Sequence, residues 1–142
     1  MNVSTRFTVT LHILTLLASK PGEALTSDYI AGSVNTNPVF VRRLMGRLRK
    51  KGWVSSQPGN GGGWELTADP DKVTLAEVRR ALNEGSPFSM HNQAPNPACV
   101  IGKNIQGALG SLYARAERAM EDDLSRTTIA SLLSSVQRKS RA

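Results

Sequence analysis

Apolar residues recur along the first eighty positions at intervals of three and four, and the polar residues between them fall where helices should start and stop. Val3, Phe7, Leu11, Leu14 and Ala18, widened by Ile13 and Leu17, predict a helix over 3–19 that Pro21-Gly22 ends. Thr26 caps a short second helix, about 27–33, with Asp28 in its first turn and Tyr29, Ile30 and Val34 as its apolar residues. Asn35-Thr36-Asn37 is the turn that follows. Asn37 is a good N-cap and Pro38 suits the first helical position. Phe40, Val41, Leu44, Met45 and Leu48 then give a third helix its buried stripe, and Gly52 ends it.

The period changes after Gly52. Trp53-Val54-Ser55-Ser56-Gln57 reads as a strand, Pro58-Gly59-Asn60-Gly61-Gly62-Gly63 as a turn, and Trp64-Glu65-Leu66-Thr67 as the return strand. The two tryptophans read as packing residues of this hairpin. Thr74 and Glu77 have capping-box spacing and open a helix over about 75–83, with Leu75, Val78, Ala81 and Leu82 apolar. Residues 85–97 hold three prolines and small polar residues, and read as a linker with little to bury. From about 98 to 123 one stripe runs through Ile101, Ile105, Leu109, Leu112, Ala116 and Met120. A lone helix of that length cannot bury its stripe on so small a domain, so a second copy of the chain is the expected partner, with two-fold symmetry. Thr127 is the expected cap of a last helix, about 128–138, with Ile129, Leu132, Leu133 and Val136 inward; the basic tail after it reads as a frayed end.

Charge adds a location to this picture. The 142-residue chain carries +7, but residues 1–85 and 86–142 both contribute to it, with 11 basic and 7 acidic side chains in the first and 7 and 4 in the second. What stands out is local: Arg42, Arg43, Arg47, Arg49, Lys50 and Lys51 fall within ten residues that contain no acid. A basic helix that follows a short helix and leads into a glycine-tipped hairpin predicts a winged helix-turn-helix, with the helix in the DNA major groove and the hairpin along the backbone or minor groove. The fold expected is thus mainly α with a small β-hairpin: a DNA-binding domain over 1–85, a linker over 86–97, and a dimerisation helix and C-terminal helix over 98–142. No apolar run reaches a membrane span, no signal-peptide pattern opens the chain, and a single cysteine permits no internal disulfide, so a cytoplasmic protein is expected.

The segment from Leu44 to Gly85 resembles the Rrf2 family of bacterial winged-helix regulators. Gly52-Trp53-Val54 with Ser56, Gly61-Gly62-Gly63-Trp64, and Thr74-Leu75-Ala76-Glu77-Val78 stand at the family's strand, wing and following helix. The segments starting at Asn96 and Arg126 look closest to its YwnA branch. The resemblance runs from about residue 3 to 136. It implies a homodimeric transcription factor, usually a repressor, whose sensing region lies at the start of the long helix. Two departures stand out. Members that bind an iron–sulfur cluster carry three cysteines there, whereas this chain has Cys99 alone, so no such cluster and no cofactor is expected. The wing often opens with arginine; here Pro58 holds that place.

Each candidate residue has a bland reading beside the functional one. The basic run is either a solvated face or the DNA contact. As contact, Arg42 and Arg49 oppose the Leu44 face, with Arg43 flanking. Arg42 or Arg43 suits bidentate donation to guanine. Arg47, Arg49 and Lys50 suit phosphates, with Lys51 at the far end of the helix. Thr36 and Asn37 lie within reach of base edges or a phosphate, and Asn60 and Gly61 stand at the wing tip. Cys99 is either a small buried residue or a thiol sensor able to form a sulfenic acid or mixed disulfide. His12 reads as a satisfied, half-buried histidine and His91 as a solvated one. Partners expected are double-stranded DNA, a second copy, and a small-molecule or oxidant effector, with no membrane. The alternatives are a protein-interaction module on a winged-helix scaffold, and a thiol enzyme, for which no base is placed near Cys99.

Overall fold

In the computed structural model, which describes residues 4–59 and 62–141, six helices and one hairpin are built. They are α1 (Arg6–Ala18), α2 (Ser27–Val34), α3 (Pro38–Lys50), β1 (Val54–Gln57), β2 (Gly63–Leu66), α4 (Leu75–Ala81), α5 (Val100–Leu124) and α6 (Ile129–Arg141). Val3 and the wing-tip residues Asn60 and Gly61 lie outside the described residues.

The caps of α2, α3 and α4 fall where the sequence puts them. Thr26 Oγ1 accepts from the Tyr29 N–H at 3.0 Å and Asn37 Oδ1 from the Phe40 N–H at 2.9 Å. Thr74 Oγ1 accepts from the Glu77 N–H at 3.2 Å and donates to Glu77 Oε1 at 3.3 Å. Each bond satisfies a backbone donor left without a partner in the first turn. At the end of α3 the Gly52 N–H donates to the Arg49 carbonyl and the Trp53 N–H to the Leu48 carbonyl, with Gly52 at φ +77. This double closure turns the chain sharply into β1.

The core joins one face of each helix of the first 82 residues: Ile13, Leu14 and Leu17 from α1, Ile30 from α2, Val41, Leu44, Met45 and Leu48 from α3, and Val78 and Leu82 around α4. The hairpin pairs Val54 with Leu66 and Gln57 with Gly63. It has a third member that the sequence pattern does not announce. Leu25 and Trp64 exchange backbone hydrogen bonds of 2.8 and 2.7 Å, so the segment before α2 closes the sheet edge. Gly63 makes this approach feasible: at φ +149, a Cβ there would stand 2.3 Å from the Leu25 carbonyl oxygen.

The C-terminal segment departs from the expected division. The division expected at 98 puts both C-terminal helices outside the DNA-binding domain, with Ile129 inward; Ile129 is 1% exposed and belongs to the core of the winged-helix unit. The Leu75 N–H donates to the Thr127 carbonyl, and the Ile129 and Ala130 N–H groups donate to the Val73 and Pro70 carbonyls. The cap of α6 is Thr128 rather than Thr127. Thr128 Oγ1 accepts from the Ser131 N–H at 3.1 Å and Ser131 Oγ from the Thr128 N–H at 2.9 Å, while Thr127 is committed to α4. Beyond Ile129, Leu132 and Leu133 are half-buried against α1 and Val136 is exposed. The basic tail stays helical through Arg141.

The long helix α5 has no buried residue. The 86–97 segment lies beside it rather than hanging free: Phe88 stacks on Tyr113 with ring centroids 4.5 Å apart, and Ser86 donates to Glu117. Arg80 of α4 pairs with Glu121.

Candidate nucleic-acid interface

The outward face of α3 follows from its buried one. Val41, Leu44, Met45 and Leu48 face the core and leave Val39, Arg42, Arg43, Gly46, Arg49 and Lys50 on the other sides of the cylinder. Arg42, Arg43, Arg49 and Lys50 are exposed and have no acidic partner among the described residues. Four uncompensated cations on one exposed helix face form a strong local positive potential.

Not every basic residue joins that face. Arg47, expected to touch phosphate, turns back: its Nη1 donates to the Leu82 carbonyl at 3.1 Å. Arg47 is itself exposed, about 40° round the helix from Arg43 at 100° per residue, but its guanidinium is engaged by this intramolecular bond. Arg6 Nη2 reaches the same carbonyl at 3.4 Å and pairs with Glu84 at 3.5 Å. Lys51 lies over the Trp53 ring, 5.6 Å from its centroid. Arg49 lies 5.8 Å from the centroid of Trp64, which ties the end of α3 to the wing strand. Trp64 Nε1 in turn donates to Ser27 Oγ at 3.2 Å. The recognition helix, the wing and the start of α2 are therefore joined through one indole.

The turn residues are partly spent on structure. Asn37 is exposed, but its Oδ1 is occupied by the cap, leaving only its amide nitrogen to reach outward. Thr36 is half-buried and its N–H donates to the Ala31 carbonyl. Val39, to which the sequence pattern assigns no role, is 55% exposed at the second position of α3, and Tyr29, expected among the apolar residues of α2, is 51% exposed near its start. Both were legible as apolar residues lying off their helices' buried stripes.

At the start of α5, Cys99 is exposed in the single chain. It is the N-cap of α5, with Sγ accepting from the Gly102 N–H at 3.5 Å. A cleft of about 700 Å³ lies where α1, the end of α4, the linker and α5 meet, lined by Phe7, Arg79, Glu84, Phe88 and Tyr113 among others. A more apolar groove of about 570 Å³ runs between α1 and α6, lined by Leu11, Leu16, Leu132, Leu133 and Val136. At its rim His12 is exposed rather than half-buried, with Nε2 3.0 Å from Ser33 Oγ. His91 is exposed in the linker. Among the described residues, no helix is long and apolar enough to cross a membrane.

Known proteins share this arrangement. The sequence pattern of the Rrf2 family, described as an iron-dependent transcriptional regulator, matches residues 3–135. The HTH-type transcriptional regulator YwnA of Bacillus subtilis (strain 168) is 39% identical over 122 residues, covering 86% of this chain and 90% of that protein. CymR of the same organism is 30% identical over 135 residues, covering 94% and 91%. The solved structure of B. subtilis CymR superposes with a TM-score of 0.70, over 94% of this chain and 97% of that one. The iron in the family's description finds no fitting donor set here. The chain has one cysteine, and among the described residues no three His, Cys, Asp or Glu side chains gather as ligands. An iron–sulfur cluster needs several thiolates close together. With the recognition helix, wing and long helix in place and the match running over nearly its whole length, this chain belongs to the Rrf2 family of DNA-binding transcriptional regulators.

Proposed function

We propose that the chain acts as a homodimeric, sequence-specific repressor that a redox or small-molecule signal releases from DNA. The observation that carries the reading is the outward face of α3, where Arg42, Arg43, Arg49 and Lys50 stand beside the wing with no acidic partner among the described residues. Arg42 and Arg43, nearest the leading end, suit base edges; Arg49 and Lys50 suit phosphates, which hold the register without specifying sequence. The wing tip, Asn60 and Gly61 included, would follow the neighbouring backbone.

Support for the dimer comes from α5. Twenty-five residues span about 37 Å at 1.5 Å each. None is buried, and Ile101 and Leu112 are 69% and 48% exposed. Pairing of the Ile101, Ile105, Leu109, Leu112, Ala116 and Met120 stripe with its two-fold copy would bury that surface. Two α3 helices would then meet successive major grooves about 34 Å apart. The signal would act at the start of α5. Cys99 is an exposed thiol there, and the Phe88–Tyr113 cleft borders both α4 and α5, so a change at either place would alter how the long helix sits on the DNA-binding unit. CymR is the global cysteine regulator of B. subtilis, which favours a sulfur-linked signal for this relative.

The test is binding of the purified protein to the duplex upstream of its own coding region, against a scrambled duplex, at about 50 and 200 mM salt. Preference for the native duplex by roughly a thousandfold supports the reading. Equal, salt-sensitive binding to both would reduce it to phosphate attraction. No binding to either near physiological salt would favour a protein partner for the same face.

A further inference from the structure

Two residues on the outward face of α3 have no work to do inside the chain. Val39, the second residue of the helix, is 55% exposed. Gly46 stands seven residues later, and a Cβ built on it would meet nothing within 4 Å. Its φ is not positive, so the backbone does not require glycine either. A seven-residue step returns to within about 20° of the same direction. The two residues therefore lie along one line, between Arg42 and Arg43. Valine and glycine are both poorer helix formers than alanine. No contact among the described residues offsets that cost at Gly46, and Val39 leaves more than half its surface to solvent.

We infer that Val39 and Gly46 form the base-reading seam of the interface: Gly46 lets the backbone of α3 approach the floor of the major groove, and Val39 packs on the C5-methyl of a thymine. The inference rests on the DNA-binding reading above. The leading end of a recognition helix faces base edges, and Val39 stands there. Its isopropyl group can neither donate nor accept a hydrogen bond, so an amino or carbonyl edge placed against it would lose its water without replacement. Thymine is the one base that presents an apolar group in the major groove. Arg43, four residues further along at about 6 Å, lies between one and two base steps away. The half-site read is thus a thymine with a guanine next to it or one pair beyond.

The test uses the full chain and the tightest duplex it recovers from a randomised library, with thymines replaced by deoxyuridine one position per half-site at a time. The replacement keeps the pairing and removes only the methyl. Burial of one methyl corresponds to about fourfold in affinity. At one position the wild type should weaken by about that factor per half-site, while Val39→Ala, already weaker on the thymine duplex, should respond clearly less. Gly46→Ala should raise the melting temperature yet weaken binding tenfold or more. Tight wild-type binding that ignores every uracil, or Val39→Ala losing the same factor as wild type at each position, overturns the methyl contact and leaves DNA binding standing. Unchanged affinity in Gly46→Ala overturns the close approach. Recovery of no duplex at all would instead defeat the DNA-binding reading, and this inference with it.

Discussion

The guanidinium of Arg49 lies over the indole of Trp64, 5.8 Å from its centroid, and the same indole donates to Ser27 Oγ at 3.2 Å. One half-buried side chain on β2 thus holds the end of the recognition helix and the start of α2 at once. Cation–π contacts at such sites contribute about 0.5–1 kcal/mol. Positioning of the wing relative to α3 matters more here than that energy. Trp64→Ala should lower the unfolding free energy by about 2 kcal/mol, less than a fully buried tryptophan would cost. It should weaken DNA binding more than its stability loss accounts for. Trp64→Phe keeps the ring face and loses the hydrogen bond, so it should fall between. Urea denaturation alongside binding titrations separates the two effects.

Arg42 and Arg47 lie five residues apart and should behave oppositely. Arg47→Ala removes a donor from the Leu82 carbonyl, so a loss of about 1 kcal/mol in stability is expected. The salt dependence of DNA binding should stay put. Arg42→Ala removes an unpaired exposed cation, so stability should hold within about 0.5 kcal/mol. If Arg42 lies on a phosphate, the salt slope falls by about one; if on guanine, specificity at one base pair relaxes instead. Equal salt slopes for wild type and both variants would remove Arg42 from the interface.

Gly63→Ala should be strongly destabilising, in contrast to the same exchange at Gly46. At φ +149, and with the new Cβ only 2.3 Å from the Leu25 oxygen, the Leu25–Trp64 bridge cannot close. A loss of about 2 kcal/mol or more is expected, together with faster amide exchange at Leu25 and Trp64. Retention of both slow amides in the variant would contradict this account.

Cys99→Ser replaces the sulfur acceptor at the N-cap of α5 with a hydroxyl oxygen, which caps well, so the fold should be unaffected. Peroxide converts an exposed thiol to a sulfenic acid with release of water. If that reaction is the signal, peroxide should free DNA from the wild type and not from Cys99→Ser. Identical release from both would eliminate thiol sensing and direct attention to the Phe88–Tyr113 cleft.

Leu112→Glu places a charge on the exposed stripe of α5 without touching the core of the single chain. Sedimentation velocity should show a shift from dimer to monomer with an unchanged circular dichroism spectrum. A variant that sediments like the wild type would require another dimer surface, or none.

Local signals carried most of this protein. The caps at Thr26, Asn37 and Thr74, the stop at Gly52 and the buried stripe of α3 were legible because each depends on side chains within four residues of one another. The same holds for the basic face, since one helix's core stripe dictates its opposite side. Contacts between residues far apart in sequence were not legible. Nothing near Arg47 says that the carbonyl of Leu82, 35 residues on, will accept from it and from Arg6 together. Leu25 joins the wing because the start of α2 packs beside β2, a consequence of how the helices cross. Ile129 enters the core because Thr127 and Thr128 find the edge of α4, although periodicity alone leaves α6 with α5. By itself, then, the sequence determined the elements, the cationic helix and the glycine-rich wing, through short-range backbone and periodicity rules. Only tertiary packing decided which cations stay free and which side chains hold the wing in place, because that depends on which distant groups the shared core brings within hydrogen-bonding reach.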